Sequence, residues 1–215
     1  MGDAKIILFD LDGTLVDSRD AILESFARAA QQLGIDIDLD RLSQLLGYPL
    51  MDVVLGSLKT RLTREELANY IALRRRIINS IWRKKVKLYS DVEEVLEVLS
   101  ARGYLLGIAS SSIIPRIREF IEYFGIEKYF VVVSGAIEGR LRGKPWPDVI
   151  LYPLKLLNIS KSKAIYVGDA EVDCRASKNA NIKFIRIIRG RDNKPWDCKP
   201  DKEIHSLYEL LEILK

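Results

Sequence analysis

Two aspartates one residue apart, Asp10 and Asp12, close the apolar run Ile6-Ile7-Leu8-Phe9 and lead straight into Gly13-Thr14. Aspartate is depleted in strands and like charges repel, so a strand that ends by pressing two carboxylates together calls for a chemical reason. Three later segments carry reactive side chains at what read as strand ends or the loops behind them: Ser110-Ser111-Ser112, Lys144-Pro145, and Gly168-Asp169 with Asp173 four residues on. A site assembled from these holds several carboxylates, one lysine and small hydroxyls. Clustered carboxylates need a cation or a proton between them. Hard oxygen ligands suit Mg2+, which binds through a few carboxylates, water and phosphate oxygens. Asp10 and Asp169 are the expected ligands, helped by a backbone carbonyl at Asp12. Lys144 adds a fixed positive charge, and Ser110 with the loop amides is expected to hold phosphate oxygens. The chain has one histidine and two cysteines, and no activated thiol is in prospect. The expected nucleophile is therefore a carboxylate that forms an aspartyl-phosphate. One aspartate attacks phosphorus; the other protonates the leaving oxygen and then deprotonates the attacking water.

The elements that must position these groups alternate. Short apolar runs at residues 6–9, 104–109, 129–133, 164–167 and 183–188 suit strands buried on both faces of a parallel sheet. Helical patterns lie between them at 113–124, 147–157 and 171–181, with a last amphipathic helix at 207–214. Ser90-Asp-Val-Glu93 reads as a capping box opening a helix that Gly103 closes. This alternation predicts an α/β fold with a doubly wound, mainly parallel sheet. Ligands in such sheets sit beyond the carboxyl ends of the strands, where the four segments fall. Residues 18–89 break the alternation with helical patterns only. Ser18 opens a helix that Gly34 ends, short pieces follow at 42–46 and 51–55, and Thr63-Arg-Glu-Glu66 is a second capping box before a long helix reaching about residue 83. The expected organisation is a catalytic core of residues 1–17 and 90–215 with an inserted helical domain of residues 18–89 beside the active edge.

Bulk properties narrow the classes. A 215-residue chain with 48% hydrophobic and 30% charged residues reads as a soluble globular protein of one domain with a modest insertion. A net charge of +4 is too mild to argue for nucleic-acid binding, though it suits an anionic substrate. Cys174 and Cys198 are too few for a zinc cluster or a disulfide framework, and Cys174 reads as a packing residue. His205 lies among ordinary surface residues. No apolar run approaches membrane-spanning length and no signal-peptide profile opens the chain, so a cytoplasmic location is expected. Partners are then a small phosphorylated metabolite, with neither nucleic acid nor membrane, for a monomer or homodimer.

The segments "DLDGTLVDS", "GIASSS", "GKPWPD" and "VGDAEVD" resemble, in order and spacing, the four motifs of the haloacid dehalogenase superfamily. The resemblance runs from Lys5 to about Ile188, and the helical insertion sits where that superfamily carries its helical cap. It implies Asp10 as nucleophile, Asp12 as general acid/base, and Thr14, Ser110, Ser111 and Lys144 around the phosphate. It also implies a Mg2+ site of Asp10, Asp12 and Asp169, with Asp173 supporting the metal directly or from behind. The superfamily often has Asn where Ser111 stands, so Ser111 contributes its amide alone or caps the next helix. Trp146 replaces a commoner small residue and either packs under the cap or lines the pocket. Asp17 is read as a hinge residue or a functional one. The runs Arg74-Arg-Arg76 and Arg83-Lys-Lys85 read as solvated faces or as charges that steer phosphates.

Departures within the superfamily choose between reactions. Dehalogenating and phosphonate-cleaving members lack the second carboxylate, so Asp12 disfavours both. Leu50 stands where a sugar-phosphate mutase carries a basic cap residue. Hydrolysis of a small phosphate monoester such as phosphoglycolate is the leading expectation, with Gly47, Tyr48 and Leu50 of the cap loop selecting the substrate. A phosphomutase or a pyrophosphatase is the alternative. A non-catalytic interaction module stands behind both, since a binding module has no need of a repelling acid cluster.

Overall fold

The computed structural model describes residues 5–190 and 196–214. Strands β1 (Ile6–Phe9), β4 (Leu105–Ala109), β5 (Phe130–Ser134), β6 (Ala164–Gly168), β7 (Lys183–Ile187) and β8 (Lys202–Ile204) form one sheet in the order β5-β4-β1-β6-β7-β8. Every pairing in it is parallel. Helices α5 (Val92–Ala101), α6 (Ile114–Tyr123), α7 (Asp148–Leu156), α8 (Glu171–Ala180) and α9 (Tyr208–Ile213) join and flank the strands. The expected doubly wound sheet is therefore present, with β8 as an additional edge strand. Side chains alternate between two buried clusters. Ile7 and Phe9 of β1 enter the cluster with α5, α6 and α9, whereas Ile6 and Leu8 enter the one with α7 and α8.

Register brings the functional segments level. Phe9 lies opposite Ile108 on one side and Val167 on the other. The residues that leave these strands, Asp10, Ser110 and Asp169, therefore emerge together at the carboxyl edge. The chain order reverses on either side of β1, which makes this edge the switch point of the sheet.

Between β1 and α5 the chain departs as a block of helices: α1 (Arg19–Leu33), α2 (Leu39–Gln44), α3 (Leu50–Ser57) and α4 (Arg64–Lys85). The Thr63 capping box forms as the sequence indicates. Ser18 sits at the N-cap of α1 without capping it, and Gly34 closes that helix in the left-handed region. Two short strands, β2 (Val16–Asp17) and β3 (Lys87–Leu88), pair antiparallel where the chain leaves and returns, with Asp17 opposite Lys87. The block has its own core around Phe26, Leu42, Val54 and Tyr70, but Ile78 and Trp82 of α4 are buried in the main cluster instead.

Three local expectations give way to tertiary structure. The Ser90–Glu93 capping box does not form. Asp91 accepts hydrogen bonds from Arg189 Nη1 at 2.8 Å, Ser206 Oγ at 2.9 Å and the Leu207 amide at 2.8 Å. Burial pushes the Asp91 carboxyl up, but these donors override it and leave its pKa below the ordinary value. The same Arg189 donates to the Thr14 carbonyl at 2.7 Å, tying the β1 loop to the C-terminal segment. Trp146 is 51% exposed rather than packed away under the helical block, with Arg142 stacked 4.0 Å from its ring centroid. Cys174 and Cys198 form a disulfide across a separation of 24 residues, so Cys174 is a cross-link rather than a packing residue alone.

A cross-link over a loop of this length is worth about 3 kcal/mol through the unfolded chain. Reducing it, with the freed thiols verified by alkylation, is expected to lower the melting temperature by roughly 5–12 °C. An unchanged transition in reductant would show that the bond contributes no stability.

Candidate active site

The site is built around a buried lysine. Lys144 has no exposed surface, and its ammonium lies 2.8 Å from Asp10 Oδ1 and 2.5 Å from Asp173 Oδ1. An ammonium out of water is tolerable only when paired. Burial lowers the Lys144 pKa, but Asp10 and Asp173 outweigh it and hold the group above its ordinary value, fully charged. Asp173 is itself saturated. Its Oδ1 also lies 3.1 Å from the Tyr166 hydroxyl, and its Oδ2 accepts from the Ala170 amide at 3.0 Å. Gly168 is required beneath it, since a Cβ there would fall 2.6 Å from the carboxylate carbon.

Asp169 occupies the other flank. Its Oδ1 accepts from the Thr14 hydroxyl at 2.9 Å. It sits directly over Gly13, where a Cβ would come within 2.2 Å of Oδ2 and where φ is +84°. No other residue type fits that position. Burial, followed by repulsion from Asp173, pushes the Asp169 carboxyl up to about 7. Asp10 is also raised well above the usual carboxylate range, by burial first and then by Asp173 and Asp169, against the pull of Lys144. Ligand atoms of Asp10, Asp169 and Asp173 lie within 4.8 Å of one another. Three acids in such proximity, two of them disfavoured as anions, form a donor set that fits a hard divalent cation.

Asp12 points elsewhere. Its Oδ1 accepts from Ser18 Oγ at 2.6 Å and its Oδ2 from Ser112 Oγ at 3.3 Å. Its carboxylate thus lies outside the acid cluster, and any metal contact from this residue falls to its main chain. Ser112, which the sequence offers only as the last of three strand-end serines, and Ser18, read as opening a helix, in fact hold Asp12. Only their places beside the motifs could have suggested it.

Two residues expected at the phosphate have other engagements. The Thr14 hydroxyl is turned to Asp169, as above. The Ser111 hydroxyl donates to the Gly47 carbonyl at 2.7 Å and accepts from the Lys144 amide at 3.1 Å. Ser110 accepts the Ser112 amide at 3.1 Å, which leaves its own proton for another acceptor.

The loop 47–50 of the helical block rests on this edge. A Cβ on Gly47 would meet Val172 at 3.0 Å, and one on Gly143 would meet the Pro49 ring at 2.8 Å. Tyr48 and Leu50 pack against the block's own core. The expected Gly47, through its backbone, and Pro49 beside it are thus in contact with the catalytic edge. Sequence reasoning also passed over Tyr166, which braces Asp173 from an ordinary apolar strand.

A family model for haloacid dehalogenase-like hydrolases matches residues 7–187. The chain is 30% identical over 218 residues to a pyrophosphatase PpaX from Halalkalibacterium halodurans, covering 99% of this chain and 97% of that one. It is 28% identical over 222 residues to a phosphoglycolate phosphatase from Vibrio parahaemolyticus, covering 99% and 96%. Its fold matches the crystal structure titled a predicted phosphoglycolate phosphatase from Haemophilus somnus 129pt, with a TM-score of 0.89, 23% identity and 99% of each chain covered.

Replacing Lys144 with Met strands two buried carboxylates and is expected to cost about 3–5 kcal/mol of stability near pH 8. The penalty should shrink toward pH 5 as Asp10, whose carboxyl burial holds well above the ordinary range, takes up a proton, because wild-type Lys144 stays charged throughout this range. Urea unfolding at both pH values checks this; a penalty independent of pH would mean that the lysine serves by packing rather than by charge.

Proposed function

Because the chain belongs to the haloacid dehalogenase-like hydrolases, we propose that it is a Mg2+-dependent phosphatase acting on a small phosphate ester through an aspartyl-phosphate on Asp10. The observation that carries this reading is the contrast between the two aspartates of one loop. Asp10 faces a lysine and two acids, whereas Asp12 faces two hydroxyls. Two carboxylates with different surroundings can take the nucleophilic and proton-transfer roles separately.

In this reading Asp10 attacks phosphorus, with Lys144 holding its carboxylate and offsetting charge on the phosphoryl oxygens. Asp12 gives its proton to the departing oxygen, and as a carboxylate it then takes one from the water that hydrolyses the acyl phosphate. Ser110 and the loop amides orient the phosphoryl group. Asp10, Asp169 and the main chain of Asp12 would hold Mg2+, with Asp173 behind them anchoring Lys144. When bound, the ion supplies charge neutralisation between the nucleophile and the phosphate. The helical block covers the strand ends as a cap, Ser111 and Gly143 receive its 47–50 loop, and the paired β2 and β3 form the hinge.

Substrate identity follows the relatives by analogy alone. A phosphoglycolate-like monoester is the first reading and pyrophosphate the second, because relatives of both names span nearly the whole chain.

Asp10→Asn should abolish phosphate release, by several orders of magnitude in turnover, while Mg2+ still binds with reduced affinity. Phosphate release near the wild-type rate would remove Asp10 from the role. Asp12→Asn is expected to slow turnover by about 10²–10⁴-fold on alkyl phosphates and by less on nitrophenyl phosphate, whose leaving group needs less protonation. Equal losses on both substrates would contradict proton transfer by Asp12.

A further inference from the structure

Arg189 leaves the sheet two residues beyond β7 and turns back to the point where the helical block joins the core. Its Nη1 donates to both oxygens of Asp91, at 3.0 and 2.8 Å, and its Nη2 donates to the Thr14 carbonyl at 2.7 Å. The guanidinium carbon lies 4.0 Å from the centroid of the Tyr89 ring. The side chain is 11% exposed and that of Asp91 6%, so the pair is held largely out of water. A planar guanidinium suits this place, because it offers fixed donors and a flat face together, which an ammonium does not.

The three partners share one neighbourhood. Thr14 precedes β2, on the connection by which the chain leaves the sheet, and Tyr89 follows β3, on the one by which it returns. The Tyr89 amide donates to the Leu15 carbonyl at 3.1 Å, so the two connections still run side by side there. The ribbon they form pairs only Val16 with Leu88 and Asp17 with Lys87. A two-stranded ribbon of that size is marginal by itself and cannot set its own position on the core. Asp91 stands at the start of α5 and is pinned from the C-terminal segment by Ser206 and the Leu207 amide. Arg189 therefore ties both connections to parts of the core that lie outside the helical block.

A second consequence runs toward the acids. The Thr14 carbonyl held by Arg189 and the Thr14 hydroxyl that donates to Asp169 at 2.9 Å belong to one residue. Fixing the first limits how the second can turn. The preceding Gly13, at φ +84°, supplies little stiffness of its own. We propose that Arg189 is a positioning residue: by gripping Thr14, Tyr89 and Asp91 at once, it anchors both connections of the helical block and aims the Thr14 hydroxyl at Asp169. The proposal rests on the phosphatase reading above, in which Asp169 takes Mg2+ and the same loop carries Asp10 and Asp12. Arg189 acts through Thr14 and touches no reacting atom. Its service is to keep motion of the helical block from reaching the loop that does the chemistry.

The test uses Arg189→Lys, which keeps a cation for Asp91 but gives up the planar fork, and Thr14→Val, which removes the hydroxyl and keeps the shape. Titration calorimetry with Mg2+ on the metal-free protein is the first readout. Each single variant should weaken binding by about 10-fold, the weight of a group that orients a metal ligand. The double variant should fall clearly short of the roughly 100-fold product, because both changes act on one contact. A full product, or no loss in Arg189→Lys, overturns the link to Asp169. Hydrogen exchange, which needs no metal, is the second readout. The Leu15, Val16 and Tyr89 amides should exchange about 10-fold faster in Arg189→Lys, while those of β1 keep the wild-type rate. Unchanged exchange at the three amides, or faster exchange in β1 as well, overturns the anchor. Turnover should lose about 10-fold in kcat with KM within about threefold of the wild type. A raised KM at unchanged kcat would make Arg189 a binding residue and also overturn the proposal. If the wild type binds no Mg2+ and releases no phosphate from phosphoglycolate or pyrophosphate, the phosphatase reading fails, and the exchange contrast still decides the anchor. Thermal unfolding confirms that each variant is folded; Asp91→Asn, which loosens the same grip from its other end, replaces Arg189→Lys if that variant is not.

Discussion

The ion triplet Asp10–Lys144–Asp173 is the constraint on which the rest of the structure depends. None of its members is stable alone in the place it occupies, because a single buried charge of either sign costs several kcal/mol. Together they pin three distant parts of the chain to one point: the end of β1, the loop before α7 and the first turn of α8. Tyr166 and the Ala170 amide complete the shell of Asp173. The in-register pairing of β1 with β4 and β6 supplies the level edge on which this convergence takes place. Fully ionised, the triplet would carry one surplus negative charge and Asp169 another, and the cost of that surplus makes the edge receptive to a cation.

The second organising feature is the divergence of Asp10 and Asp12. Side chains at i and i+2 of an extended strand share a face, but the chain bends at Leu11 as it leaves β1, and the two carboxylates part. Asp10 is thereby committed to charged partners and Asp12 to the hydroxyls of Ser18 and Ser112, one at the entry to the helical block and one at the end of β4. The residue read as the proton carrier is thus the one that faces the seam between block and sheet.

The central strands were legible because each is an apolar run buried on both faces, and the motif aspartates were legible because carboxylates at strand ends are costly without a use. β8 left no such mark: of Lys202, Glu203 and Ile204 only the last is buried. β2 and β3 have two residues each and exist through pairing across some seventy positions, beyond any local pattern. The capping box at Ser90 was present as a pattern but lost to Arg189, whose charge outbids a backbone amide for Asp91. Partners chosen by the fold also decide what the Thr14 and Ser111 hydroxyls do, and residue type alone could not name them. The Cys174–Cys198 bond joins a helix to a segment whose position no periodicity reveals.

The hydroxyl of Ser111 touches the helical block and the lysine loop at once, through the Gly47 carbonyl and the Lys144 amide. A hydroxyl has one proton to give. Lifting the 47–50 loop withdraws the carbonyl that takes this proton and leaves the acceptance from Lys144 in place. The proton is then free to turn toward an anion at the mouth of the site. This hydrogen bond, worth about 1 kcal/mol net, adds to the contact of Pro49 with Gly143 in holding the loop on the edge. An opening of the loop would thus offer one more donor to an arriving anion, and its closing would take the donor back. In kinetic terms the serine would then act as a turnstile: the same proton would greet the entering ligand and afterwards fasten the door.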